Sequence, residues 1–335
     1  MTNRSRNADL GLRRGSFAPL FLLLAACGGK VASVPGPFSI PIHPAANVAA
    51  TSTSTPTPTS TPTSTPTKPH FPVVVEGMTP SSDGVPIHYV SRGDGDTAVV
   101  FVHCWGCNMH YFDGAMAKVA PKYRVVALDL AGHGMSGTKR AKWNVRSFAN
   151  DVRAVVEKLG LKHVVLVGHS MSGNITLDAT LVMPDKVIGL VPIDTLHDVE
   201  RKMPPDRRKK FFDEFRKDFA GTTSKLVRSL FPRTTDPTVV DHVLADELKG
   251  DPKILIPTLE DNFGYESDEA LKKVKVLIIC VNADLYPTEL EHNKKYAPQF
   301  QARILKGVGH WPMFEAPDEF EAAVLGAVDE VMTRK

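Results

Sequence analysis

The sequence predicts an α/β fold built on a mostly parallel sheet, and three observations carry that prediction. Apolar runs alternate with stretches of helical periodicity from about residue 71 to the C-terminus, the pattern of strands joined by crossover helices. The central runs, such as Ala98–His103 (AVVFVH), are apolar throughout rather than at every second position, as strands covered on both faces must be. Residues 71–335 also supply enough chain for one sizeable core with an inserted subdomain.

Taken in order, Val73–Glu76 and Val85–Val90 flank Ser81-Ser82-Asp83-Gly84. That turn signal predicts an opening hairpin, and hence an antiparallel edge. Ala98–His103, Val125–Leu128, Val164–Val167, Val187–Ile193 and Val274–Val281 read as buried strands. Val145–Leu159, Ser172–Met183 and Ala316–Val331 carry helical patterns. The stretch from about 197 to 271 breaks the alternation, being rich in charge and without a buried-strand run. It is expected to be a helical cap. Within it Phe211, Phe212, Phe215 and Phe219 recur at roughly helical spacing, so one helix face is apolar. That face packs on the main domain or lines a pocket, and the two are compatible. Arg207-Arg208-Lys209-Lys210, just before it, reads as a solvated helix face.

Composition narrows the function classes. Hydrophobic residues make up 42% and charged residues 23% of 335, which excludes wholesale disorder and a multi-span membrane protein. The net charge of +3 is accounted for by Arg4, Arg6, Arg13 and Arg14 against Asp9. The remainder is balanced, so charge gives no support to nucleic-acid binding.

The first seventy residues read as address and tether. Arg13 and Arg14 precede a short apolar run, Phe17–Ala26, too short for the roughly 20 residues of a membrane span. It ends in Leu24-Ala25-Ala26-Cys27 before Gly28-Gly29. This resembles a bacterial lipobox, which implies a signal peptide over 1–26, cleavage before Cys27 and lipidation there, with an acyl group such as palmitate. A plain secretory signal is the alternative. The Arg13-Arg14 pair also invites a twin-arginine reading, with Phe17 one residue late. Residues 27–70, including TSTSTPTPTSTPTSTPT at 51–67, are expected to be a flexible linker. The expected location is therefore the outside of a bacterial membrane, periplasmic or at the cell surface, with the folded part held off the lipid.

Chemistry concentrates in residues 161–179, LKHVVLVGHSMSGNITLDA. An apolar run ends at Gly168, His169-Ser170-Met171-Ser172-Gly173 follows, and a helical pattern begins. Strand, sharp turn and helix are the context a nucleophile elbow requires. The G-x-S-x-G pattern would have Gly at 172, where this chain has Ser172 and places Gly173 one later. Phe101-Val102-His103-Cys104-Trp105-Gly106 follows another buried strand. Asp129-Leu130-Ala131-Gly132-His133-Gly134-Met135-Ser136 forms a glycine-rich turn, and Gly307-Val308-Gly309-His310-Trp311-Pro312 precedes the last helix.

Together these segments resemble the α/β-hydrolase family over nearly all of 71–335. The resemblance implies an α/β-hydrolase fold with an inserted helical cap, Ser170 as nucleophile and His310 as general base. It also implies an oxyanion hole from the backbone N–H groups of Trp105 and Met171. The D-x-x-G-x-G-x-S turn reads as structural. The order Ser170…Asp284…His310 matches the family's Ser…Asp…His, and Asp284 follows a buried strand ahead of the His loop. It is the expected triad acid, with Asp194 at another strand end as its rival. His103 is expected to organise the oxyanion loop, and His133 and His169 to be structural or pocket-lining.

The expected activity is that of a carboxylesterase-like serine hydrolase on small or medium, partly apolar acyl substrates. A C–C hydrolase or cofactor-free perhydrolase uses the same triad, and a slow or non-catalytic ligand-binding protein shares the fold. No cofactor, metal site or protein partner is called for. Cys280 reads as inert packing. Cys104-Trp105-Gly106-Cys107 is a C-x-x-C on the oxyanion loop, with Cys104 where the family has Gly. Free thiols, a local disulfide without a redox role, and a redox pair all stay open.

Overall fold

The computed structural model describes residues 74–334. The expected signal peptide, linker and lipidation site Cys27 lie outside the described residues. Among the described residues eight strands are formed: β1 (Val74–Pro80), β2 (Pro86–Arg92), β3 (Thr97–Val102), β4 (Arg124–Leu128), β5 (His163–His169), β6 (Val187–Ile193), β7 (Leu277–Ala283) and β8 (Phe300–Leu305). The helices are α1 (Asp113–Val119), α2 (Val145–Lys158), α3 (Ser172–Val182), α4 (Pro205–Lys217), α5 (Phe219–Ser229), α6 (Pro237–Glu247), α7 (Pro252–Gly264), α8 (Ser267–Lys273), α9 (Leu290–Tyr296), α10 (Pro312–Glu315) and α11 (Pro317–Thr333).

The strands make one sheet in the order β1-β2-β4-β3-β5-β6-β7-β8. β1 pairs antiparallel with β2, and β2 with β4. All other neighbours are parallel. The opening hairpin and the parallel centre are those the sequence predicts. Alternation along each central strand feeds two apolar layers. On β3, Ala98, Val100 and Val102 join one layer, while Val99 and Phe101 join the other. Both faces are buried, which is why these strands read as unbroken apolar runs.

β8 is not announced by periodicity. Its Gln301 and Arg303 interrupt the apolar pattern, as an edge strand permits. Arg303 reaches across to the carbonyls of Ala323 and Gly326 and to Glu330 on α11.

The chain leaves β3 toward opposite sides of the sheet: β4 lies on one flank and β5 on the other. A crevice opens outside the carboxyl ends of strands at such a switch point. The loops after β3, β5, β6 and β8 all emerge there. Helices α4–α8 lie between β6 and β7. Phe212 and Phe215 of α4 are fully buried, and Phe215 and Phe219 set their rings edge-on to Trp105 at 6.0 and 6.2 Å. The inserted helices thus pack directly on the loop after β3. Among the described residues, no helix is long and apolar enough to cross a membrane.

Candidate active site

Ser170 sits at the end of β5 with φ +56°, a left-handed conformation that costs energy for a residue with a side chain. The turn holds because its surroundings leave no alternative. The Ser170 N–H donates to the Ile193 carbonyl at 2.9 Å, and Gly173 N–H donates to the Ser170 carbonyl at 2.9 Å. A Cβ at Gly168 would overlap the Ser172 carbonyl, and one at Gly173 would overlap Thr195. Small residues are therefore required where strand and helix cross. Ser172, the departure from the expected glycine, is fully buried and donates its hydroxyl to the His103 carbonyl. It fastens the elbow to the loop after β3.

His310 Nε2 lies 2.7 Å from Ser170 Oγ, and its Nδ1 lies 2.5 Å from Asp194 Oδ2. The His310 main chain is pinned on both sides. Its N–H donates to the Leu230 carbonyl at 3.0 Å, and its carbonyl accepts from His169 Nε2 at 2.7 Å. Glu315 takes the N–H groups of Gly309 and Trp311.

The aspartate beside His310 is Asp194, not Asp284, which corrects the sequence expectation. Asp194 follows β6, the strand next to β5, and turns at φ +42°. That turn swings its carboxylate over the end of β7, where Oδ1 accepts the Ala283 N–H at 2.9 Å. Asp284 lies one strand further from Ser170. Its Oδ1 accepts the Gly307 N–H at 2.8 Å and its Oδ2 faces Lys306 at 3.7 Å. Asp284 ties down the His310 loop and does not touch the imidazole.

Asp194 is 3% exposed. Burial alone would push its carboxyl up, but hydrogen bonds from His197 and His310 outweigh that and hold it well below the usual carboxylate range. A buried, ionised acceptor beside Nδ1 fixes the His310 tautomer with Nε2 free to accept from Ser170.

The loop after β3 is braced from several directions. Cys104 and Cys107 form a disulfide across Trp105-Gly106, with Cα atoms 5.2 Å apart. Gly106 has φ +68°, and a Cβ there would lie 2.9 Å from Glu247 Cγ. The Trp105 indole N–H donates to the Leu255 carbonyl of α7 at 2.7 Å. His103 Nε2 accepts the Leu130 N–H at 2.9 Å, so its Nδ1 carries the proton and donates to the Cys104 carbonyl at 2.8 Å. By the same logic His133 accepts from Gly106 N–H and donates from Nδ1 to the Ala131 carbonyl. Burial lowers the pKa of His103, and takes those of His133 and His169 down to about 3, so all three are neutral. The glycine-rich turn supports this loop. Asp129 Oδ1 takes the Met109 N–H at 3.0 Å, while Oδ2 takes the Met135 N–H at 2.9 Å. Among the described residues, nothing accepts the main-chain N–H of Trp105 or of Met171. No group of three or more His, Cys, Asp or Glu side chains there could hold a metal ion.

A serine on a left-handed elbow, a histidine in hydrogen-bond reach and a buried acid behind it, all at the carboxyl ends of parallel strands, define a hydrolase-type site. The chain belongs to the alpha/beta hydrolase family, whose family model matches residues 99–323, more than half of its length. It is 23% identical over 257 residues to a pimeloyl-[acyl-carrier protein] methyl ester esterase of Yersinia pseudotuberculosis, covering 73% of this chain and 98% of that one. It is 34% identical over 94 residues to an uncharacterized protein of Mycobacterium bovis, covering 28% of each chain. Among solved structures, an esterase from Exiguobacterium antarcticum superposes with a TM-score of 0.69 at 18% identity, over 76% of this chain and 100% of that one. At that identity the likeness is one of fold.

Proposed function

We propose that this protein is a serine hydrolase of carboxylic esters or related acyl substrates, working through Ser170, His310 and Asp194. The observation that carries the reading is the unbroken hydrogen-bond chain from Ser170 Oγ through His310 to Asp194. His310 Nε2 takes the Ser170 proton as Oγ attacks the carbonyl carbon. Asp194 stabilises the imidazolium that results. The N–H groups of Trp105 and Met171, without acceptors among the described residues, would stabilise the developing oxyanion, each such donor being commonly worth about 3 kcal/mol. The imidazolium then protonates the leaving alkoxide, and an acyl-enzyme remains. His310 next takes a proton from water, whose hydroxide attacks the acyl carbon; the imidazolium returns that proton to Ser170 Oγ as the acyl C–Oγ bond breaks, and the carboxylic acid leaves. No step calls for a cofactor. The aromatic cluster of Trp105, Phe215 and Phe219 suits a partly apolar acyl substrate. The N-terminal Cys27 pattern supports a lipid anchor that holds the enzyme at the outside of a bacterial membrane. The test is hydrolysis of p-nitrophenyl esters of increasing chain length by the purified chain. Turnover lost in Ser170→Ala with an unchanged circular dichroism spectrum is expected, and turnover retained by that variant would refute the assignment.

A further inference from the structure

The polar contacts do not stop at Asp194. His197, three residues on, sets Nε2 3.3 Å from Asp194 Oδ1, the oxygen that His310 does not use. His197 Nδ1 lies 3.2 Å from Thr288 Oγ1. Asn282 Nδ2 in turn donates to Thr288 Oγ1 at 3.0 Å. Asn282 is fully buried at the end of β7, and its amide orientation is set by Thr195: Oδ1 accepts the Thr195 N–H at 3.2 Å and Nδ2 donates to the Thr195 carbonyl at 3.0 Å.

Asp194, an ionised carboxylate, can only accept, so the His197 nitrogen that faces it, Nε2, carries a proton. The Asn282 amide N–H can only donate, so Thr288 Oγ1 accepts from it and keeps its own hydrogen available for His197 Nδ1. With the proton on Nε2, facing Asp194, Nδ1 can accept that hydroxyl hydrogen. The main chain agrees with this placement: the His197 carbonyl accepts the Glu289 N–H at 2.7 Å, which draws the Thr288 segment against His197. Asp194 is therefore met from three directions: by hydrogen bonds from His310 on Oδ2 and from the Ala283 N–H on Oδ1, and by His197 Nε2 at 3.3 Å from Oδ1.

Resting on the reading of Ser170 as nucleophile, we propose that His197 is a positioning residue of the triad. Oriented by Thr288 and Asn282, it holds the Asp194 carboxylate in the one rotation that presents Oδ2 to His310. Asp194 has a left-handed backbone and a short side chain whose carboxylate rotates about its last bond. The Ala283 N–H alone fixes where Oδ1 lies. The second donor fixes the plane of the carboxylate, and so the aim of Oδ2. His197 acts through Asp194 and touches neither Ser170 nor the reacting atoms.

The experiment is steady-state kinetics on the purified full chain with a p-nitrophenyl ester, using His197→Ala, His197→Gln, Thr288→Val and Asp194→Asn, and Ser170→Ala as control. A misaimed acid loosens the base by a fraction of an ångström, a displacement on the order of ten- to a hundredfold in rate. His197→Ala is expected to lose that factor in kcat with KM little changed. His197→Gln, which can still donate from a similar position, is expected to recover most of it. Thr288→Val, which leaves His197 in place without its orienting hydroxyl, is expected to fall between them and serves if His197→Ala does not fold. In an Asp194→Asn background His197→Ala is expected to add nothing, because both act on one group. The downfield proton resonance of the His310 Nδ1–H should shift in His197→Ala. An unchanged kcat in both His197→Ala and Thr288→Val, a loss confined to KM, a glutamine variant no better than alanine, or full additivity with Asp194→Asn would each overturn the proposal. If Ser170→Ala keeps the wild-type rate, the hydrolase reading fails and this one with it. If Ser170→Ala is inactive and the His197 variants behave as wild type, only this one fails.

Discussion

Asp194→Asn and Asp284→Asn form a pair whose contrast is set by geometry. Asp194 is 3% exposed and lies 2.5 Å from His310 Nδ1. Its amide replacement carries no charge to stabilise the imidazolium, and its NH₂ group can force His310 into the wrong tautomer. The corresponding change in a serine protease triad costs about 10⁴-fold in kcat, or about 5.5 kcal/mol of barrier. The backbone is no obstacle, since asparagine tolerates the φ of +42° found here. Asp284 accepts one N–H at 2.8 Å, faces Lys306 at 3.7 Å and has a side chain 34% exposed. Losing its charge costs about 1 kcal/mol of order in the His310 loop, equivalent to about fivefold in rate at most. The assay is kcat/KM for a p-nitrophenyl ester, with thermal melts to confirm folding. A rate loss greater in Asp284→Asn than in Asp194→Asn would refute the assignment of the acid.

Two further predictions concern the loop after β3. Glu247 is buried against Gly106, and among the described residues no cation or hydrogen-bond donor meets its carboxyl. Burial raises its pKa well above the ordinary value, so the folded state holds a proton that the unfolded state releases. Its effect on stability is therefore neutral below the unfolded pKa and becomes destabilising as pH rises toward the folded one. Glu247→Gln should melt higher than wild type at pH 8, with the gap closing toward pH 4; a gap that widens toward acid would contradict the sign. Reduction of Cys104–Cys107 should lower kcat on the order of tenfold, because the ring it closes carries the Trp105 N–H, the proposed oxyanion donor, and complete loss of such a donor is worth about 10²–10³. Unchanged kcat in strong reductant, with both thiols confirmed by mass, would show that the loop holds without the bond.

The central fold was legible because parallel strands buried on both faces appear in sequence as unbroken apolar runs. β8 escaped because an edge strand tolerates Gln301 and Arg303. Ser170 and His310 were legible for a different reason: a tight elbow and a glycine-flanked loop impose small residues at fixed spacing. The aspartate beside His310 was not, because chain order is satisfied equally by Ser170…Asp194…His310 and by Ser170…Asp284…His310. What separates the two is spatial, the adjacency of β6 to β5, which sequence order does not record. His197 and Thr288 lie in irregular segments where no periodicity marks a side chain, and 91 residues separate them. Ser172 looked like a blemish in the motif, whereas its hydroxyl supplies a bond to His103 that glycine could not make.

The central claim is that Ser170 carries the acyl group between two half-reactions. Rapid acid quench of the enzyme during turnover of a p-nitrophenyl ester, followed by intact-mass and peptide analysis, tests it most directly. The expected result is an added acyl mass mapping to the peptide that contains Ser170, absent in Ser170→Ala and accumulating further in slow deacylation variants. Turnover with no acyl adduct on Ser170, or an adduct that persists in Ser170→Ala, would contradict the account.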